Sequence, residues 1–191
     1  MFLRALFTLS FVVSLSAQTL PVPRKASEFA IQSVDGQKLL LSGYKGKVVV
    51  LNFIHTTCPH CQQLSMTMNQ LYAEYGAQGF QPIAIAWNDN AQSLAPEFGK
   101  AFRLSYTLGY SDRPTVLGYL GVSMLDQRSV VPQMIWIDRK GMVRAQTPSA
   151  GDMSMLTETY YRQMITTLLA EPATESTSGK PARRPAANSK R

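Results

Sequence analysis

The chain has 191 residues, 45% of them hydrophobic, and a formal net charge of +7. That length and apolar content suit one well-formed core and are too small for two comfortable domains. The charge is no evidence of a nucleic-acid groove, because residues 171–191 hold five basic against two acidic side chains while residues 21–170 hold thirteen against ten, so the excess is largely a property of the ends.

Residues 1–17 begin with a single basic residue, Arg4, continue through an apolar run from Ala5 to Val13, and close on the small residues Ser14, Ser16 and Ala17. This is the pattern of a secretory signal peptide cleaved after Ser16 or Ala17, and it is shorter than the roughly 20 residues that span a bilayer. A linker over residues 18–25 follows, marked by Pro21 and Pro23. Residues 29–33 and 37–41 flank Val34-Asp35-Gly36, a hairpin signal, and residues 42–47 form a polar turn. Val48–Ile54 is nearly continuous apolar sequence, as expected of a central parallel strand covered on both faces. Asn52 interrupts it, either hydrogen-bonded within the sheet or facing the space beneath Cys61.

Cys58-Pro59-His60-Cys61 follows, holding the only two cysteines of the chain. From Cys61 onward Leu64, Met68, Leu71, Tyr72 and Tyr75 recur at helical spacing and stop at Gly76, a C-cap. Residues 80–87 predict a second buried strand. Ser93 is placed to cap a helix through Phe102, with Leu94, Phe98, Ala101 and Phe102 inward and Pro96 in its first turn. Residues 106–110 predict a short strand, and residues 115–119 a short helix ended by Gly121. Residues 133–137 and 142–146 predict a hairpin across Asp138-Arg139-Lys140-Gly141. Residues 152–169 predict an amphipathic helix with Met155, Leu156, Tyr160, Met164, Ile165 and Leu168 on its buried side. Residues 171–191 carry almost no large apolar side chain, cannot repay the entropy of ordering, and predict a disordered basic tail. Such a tail can rest on an anionic membrane, although a solvated tail is the simpler expectation.

Two thiols separated by two residues at the start of a helix can cycle between dithiol and disulfide. Cys58 lies where unpaired backbone N–H groups and the macrodipole favour negative charge, which marks it as the nucleophile. Pro59 suits the first helical turn, where its missing N–H has no intrahelical partner. His60, when protonated, favours the Cys58 anion further. Cys61, one turn in and less exposed, is the resolving thiol. The expected cycle is thiolate attack on a disulfide sulfur, a mixed disulfide through Cys58, then exchange with Cys61. A stabilised Cys58 anion tilts the pair toward oxidising its partners, with a potential nearer the roughly −120 mV end of the range for such pairs than the roughly −270 mV end. A zinc site needs four ligands and only His55 and His60 could join the thiols, so neither metal nor cofactor is expected. A structural disulfide across so short a loop constrains the unfolded chain very little.

Alternating strands and helices followed by a hairpin and a helix describe an α/β protein. With the hairpin, the strand Val48–Ile54, the Thr56-Thr57-Cys58-Pro59-His60-Cys61 run and the stretch Val130-Val131-Pro132-Gln133 through Gly141, residues 26–170 resemble the secreted thiol-disulfide oxidoreductases related to TlpA and ResA within the redoxin group. The resemblance implies a thioredoxin-like three-layer α/β sandwich with a mixed central sheet and an N-terminal β-hairpin extension. It implies that Pro132 is a cis-proline facing the dithiol and that a backbone group of Val131 pairs with the substrate. It also implies partners that are protein thiols or disulfides, together with a redox partner protein, outside the cytoplasm.

The sequence departs from that group in several places. Thr57 and Ile54 stand where aromatics are common, and Asn52 and Leu64 stand where a buried acid would tune the second thiol. Pro-His between the cysteines, with valine before the proline, looks instead like the oxidising DsbA group. Peroxiredoxins share the fold, but His55 and Leu51 occupy the places of their threonine and proline. A copper carrier using the same thiols is the non-enzymatic alternative, because soft thiolates select Cu(I).

Overall fold

The computed structural model describes residues 20–123 and 130–173. The leader at 1–17 and nearly all of the tail at 171–191 lie outside the described residues. In chain order the elements are β1 (Arg24–Lys25), β2 (Ala30–Ser33), β3 (Lys38–Leu40), β4 (Val48–Ile54), α1 (Pro59–Tyr75), β5 (Phe80–Ala86), α2 (Ala91–Ala101), β6 (Thr107–Tyr110), α3 (Arg113–Leu120), β7 (Gln133–Ile137), β8 (Met142–Gln146) and α4 (Glu158–Ala170). These strands form one mixed sheet in the order β1-β8-β7-β4-β5-β6-β2-β3.

β4 sits near the middle, parallel to β5 and antiparallel to β7. All seven of its residues are buried, and the pleat sends alternate side chains to opposite faces. Val48, Val50 and Ile54 pack with α1, α2 and α4 through Leu64, Met68, Phe98 and Ile165. Val49, Leu51 and Phe53 pack on the other face with Val116, Leu117 and Leu120 of α3 and with Phe29 and Ile31. Helices on both faces make this a three-layer α/β sandwich, and burial on both faces is why β4 reads as a continuous apolar run.

The N-terminal hairpin forms as β2 and β3 and extends the main sheet, since β2 pairs with β6. Several local expectations are corrected. The stretch assigned as a linker contributes β1, paired with β8 at the opposite edge. The polar turn at 42–47 begins as a 3-10 turn, Leu41–Tyr44. Gly76 keeps right-handed backbone and leads into a further 3-10 turn, so the left-handed stop is Gly79, at φ 102°.

Helix α2 starts at Ala91 after Asn90, three residues earlier than a Ser93 cap would allow. The frame therefore turns: Ala91, Ala95 and Phe98 are buried while Leu94 is 39% exposed. Pro96 falls in the second turn and withholds a donor from the Gln92 carbonyl, a loss that water can make good because Gln92 is exposed. At the C-terminus, Met153–Met155 form a 3-10 turn and α4 begins only at Glu158, where Thr157 caps it through its side chain, which accepts from the Tyr160 amide. Tyr161, absent from the expected apolar stripe, is buried with Ile165 and Leu168.

Candidate active site

The dithiol lies where β4 leaves the sheet. Beyond Ile54 the chain turns back on itself, with the Cys58 amide donating to His55 O at 3.2 Å. The turn is held from both sides: Asn88 Oδ1 accepts from Thr56 N at 2.9 Å, and Gln62 Nε2 donates to Thr56 O at 3.1 Å. Cys58 is the N-cap of α1 in extended conformation, and Pro59 opens the helix. The Cys58 sulfur accepts from the Cys61 amide at 3.4 Å, the N-cap bond that an oxygen makes in most helices. Both cysteines are free thiols; Cys58 is partly exposed and Cys61 is buried.

The distant stretch at 130–133 meets this turn. The Val131–Pro132 peptide is cis, and the Cys58 thiol lies 3.9 Å from Val131 O, in hydrogen-bonding orientation. Gln133 anchors the segment, its side-chain amide donating to Val130 O at 2.9 Å and to Pro148 O at 3.1 Å. Sequence reasoning missed both Gln133 and Asn88. Their signal was a polar residue at the end of an apolar strand, where a side chain is free to tie down a loop. Cys58, Cys61, Val131 and Pro132 are thus brought together. His60 is exposed, makes no hydrogen bond to the Cys58 sulfur, and lines a cavity of about 230 Å³ shared with Pro132, Met153 and Tyr161.

The two thiols have opposite surroundings. Burial pushes the Cys61 thiol far up, and its hydrogen bond with Cys58 adds to the rise, against a small lowering from the His55 backbone. Asn52 shares the even-numbered face of β4 with Val50 and Ile54, the face against which Cys61 packs. Its side chain is 1% exposed, and neither its amide nitrogen nor its oxygen has a protein partner. A side chain bonded within the sheet is therefore not what is found. An amide cannot accept a proton from a thiol, so no side-chain base stands at this position. Replacing Asn52 with Leu is expected to leave stability unchanged or raise it by about 1 kcal/mol, since an unpaired buried amide is costly. Urea unfolding of the variant measures this, and a loss of stability would mean that the amide is satisfied by internal water.

His55 rests edge-on against Trp87, with ring centroids 4.5 Å apart, and its Nε2 is buried without a protein partner. Burial lowers its pKa first, the Arg113 charge lowers it further, and Asp89 partly opposes both. A histidine held neutral in the fold but protonated in the unfolded chain makes the unfolded state bind more protons below about pH 6.5. Its contribution is complete above that pH and is lost as pH falls toward the lowered folded value. Denaturation midpoints should therefore drop between pH 7 and 5, and His55→Phe should flatten that slope.

Among the described residues no group of three or more His, Cys, Asp or Glu side chains is placed to hold a metal ion. No described helix is long and apolar enough to cross a membrane.

Residues 22–146 match the model of the AhpC/TSA family. The chain belongs to that family. Among its relatives is the thiol-disulfide oxidoreductase ResA of Bacillus thuringiensis, 28% identical over 129 residues, which covers 68% of this chain and 70% of the relative. A solved chain given as a thiol:disulfide interchange protein DsbE from Chlorobium tepidum superposes with a TM-score of 0.66 at 27% identity, covering 79% of this chain and 99% of that one. A thioredoxin family protein from Chlorobium tepidum TLS shares the fold at 21% identity, with a TM-score of 0.63 over 78% of this chain and 98% of its own. The architecture of this AhpC/TSA family member is accordingly the thioredoxin-like α/β sandwich, and its closely spaced cysteine pair suits thiol–disulfide exchange.

Proposed function

We propose that this protein is an extracytoplasmic thiol-disulfide oxidoreductase that passes disulfides to partner proteins, with Cys58 as nucleophile and Cys61 as resolving thiol. The observation that carries this reading is the pairing of a partly exposed sulfur at a helix tip with a buried thiol one turn away. The relatives named ResA and DsbE support the same chemistry, and the apolar leader pattern at residues 1–17 supports export to a compartment where disulfides persist.

In the oxidised enzyme, a substrate thiolate attacks Cys58 Sγ. The Cys58–Cys61 bond breaks, and Cys61 departs with the electron pair and takes up a proton. A second substrate thiolate then attacks the substrate sulfur of the mixed disulfide, which releases the oxidised substrate and the Cys58 thiolate. The enzyme returns to its disulfide at the expense of a partner disulfide, which is reduced to a dithiol. Backbone carbonyl groups beside Pro132 offer the substrate strand an acceptor during the exchange.

The oxidising direction rests on the contrast between the thiols. The Cys58 sulfur is partly exposed at the helix N-terminus and accepts from the Cys61 amide, so it is placed to act as the sulfur displaced from the mixed disulfide. Cys61 is buried with Asn52 in place of a carboxylate, so it is slow to ionise and slow to expel a captured substrate itself. A peroxidase reading has less to stand on, because His55 lies three residues before Cys58 and Leu51 seven before it, and neither offers a hydroxyl to polarise a peroxide.

Equilibration with glutathione buffers tests the direction. The expected potential lies nearer roughly −120 mV than roughly −270 mV, with faster oxidative refolding of a reduced protein than reduction of insulin. A reducing value in the unaltered protein would overturn the oxidising assignment.

A further inference from the structure

At the end of the sheet opposite the dithiol is a cavity of about 460 Å³ with an apolar floor that includes Leu41, Val49 and Ile137. Four lysines line it: Lys25, Lys45, Lys47 and Lys140. All four are exposed. They come from three separate places, β1, the segment before β4 and the turn between β7 and β8, so their gathering is a product of the fold and not of a local sequence run.

Their charges are poorly answered. The two acids of the wall, Glu28 and Asp138, are engaged elsewhere. Glu28 Oε1 accepts from the amides of Phe29 and Ser42 at 3.2 and 3.0 Å. Asp138 Oδ1 accepts from the amides of Lys140 and Met142, both at 2.9 Å, and its Oδ2 is paired with Arg144 at 3.0 Å. Lys47 bonds only the neutral Gln81, at 3.3 Å, and stands 5.9 Å from the centre of the Tyr44 ring. No ion pair holds any of the four lysines among the described residues. The cavity falls within the about 300–1,000 Å³ range of small-molecule sites, and lysine binds phosphate as a compact point charge.

We propose that this cavity binds an organic phosphate monoester, its dianionic head among the lysines and a short apolar or aromatic body on the floor. The site is independent of the dithiol and of the exchange reaction proposed above.

Phenyl phosphate is the probe, titrated into the full-length protein with amide chemical shifts as the readout. Binding should perturb residues around Ser42, Tyr44 and Gly141, weaken with added salt, and become about tenfold weaker in the triple variant Lys25→Gln, Lys45→Gln, Lys140→Gln. These side chains are exposed, so the variant should keep its unfolding midpoint and its thiol exchange rate. Failure of the unaltered protein to bind phenyl phosphate, equal affinity in the variant, or equal binding of benzyl alcohol would each overturn the proposal. Two arms separate the sources of such a head group. Sedimentation with vesicles containing phosphatidic acid but not with phosphatidylcholine vesicles, lost in the triple variant, assigns a lipid; phenyl phosphate binding without vesicle binding assigns a soluble ester.

Discussion

Cys58→Ser will abolish catalysed thiol–disulfide exchange, whereas Cys61→Ser will capture a partner and fail to release it. The asymmetry follows from access. Cys58 is the partly exposed thiol, with its sulfur at the helix tip and 3.9 Å from Val131 O, so an incoming sulfur reaches it and not its neighbour. A serine hydroxyl at position 58 is no nucleophile toward a disulfide at neutral pH, and Cys61, 0% exposed, cannot stand in for it. The Cys58→Ser protein should therefore turn over at the rate of the buffer thiols alone. In Cys61→Ser no internal disulfide can form, but the Cys58 thiolate still attacks the disulfide of the partner that recharges the enzyme; the displacement by Cys61 that would free that partner is lost, so a covalent adduct of one partner per chain accumulates. Non-reducing electrophoresis and intact-mass measurement read both outcomes, and the adduct identifies the partner. An adduct forming instead on Cys61 in the Cys58→Ser protein would reverse the assignment of roles.

The largest loss of stability is expected at Trp136. Its side chain is 0% exposed and stacks on Phe80 with ring centroids 6.3 Å apart and planes inclined by 17°. Tyr160 and Tyr161 of α4 meet the same ring, each at 6.3 Å. Trp136 therefore ties β7 and β5 to the C-terminal helix. Trp136→Ala should cost about 3–5 kcal/mol, a large share of the about 5–15 kcal/mol available to an ordinary domain. Trp136→Phe should cost much less. It keeps a ring in the stack and removes an indole N–H that is buried without a protein partner, which offsets part of the lost contact. Urea unfolding of the two variants separates aromatic packing from the indole N–H, and similar losses in both would show that the fit of the full indole dominates.

Legibility in the sequence followed how completely local chemistry decides an element. Val48–Ile54 and the strands Gln133–Ile137 and Met142–Gln146 were readable to the residue, because two-sided burial and a tight polar turn leave distinct marks. The placement of Cys58 and Cys61 at the start of a helix was readable because Pro59 and the helical spacing that begins at Cys61 mark a helix N-terminus. Helix α2 was misframed because Asn90, with φ of 58°, starts the helix without a side-chain cap bond, which left Ser93 as the more visible candidate. β1 was hidden because two residues carry no periodicity, and its pairing with β8 is decided by tertiary contact. His60 was expected beside the Cys58 sulfur from its neighbourhood in sequence, yet an exposed side chain on a helix tip has open directions that sequence spacing does not choose among. The unpartnered amide of Asn52 was legible as a position but not as an unmet need, since only the finished packing shows what a buried polar group lacks.

The placement of β4 between β5 and β7 also bears on how the protein is made. β5 follows β4 after a single helix, but β7 comes from beyond α2, β6 and α3. A chain interrupted before Gln133 therefore holds its most apolar strand with one flank open, a template for joining other chains. Ribosomal stalling or proteolytic nicking within residues 121–132 should yield fragments that clump, whereas loss of residues beyond Ala170 leaves the sheet sealed.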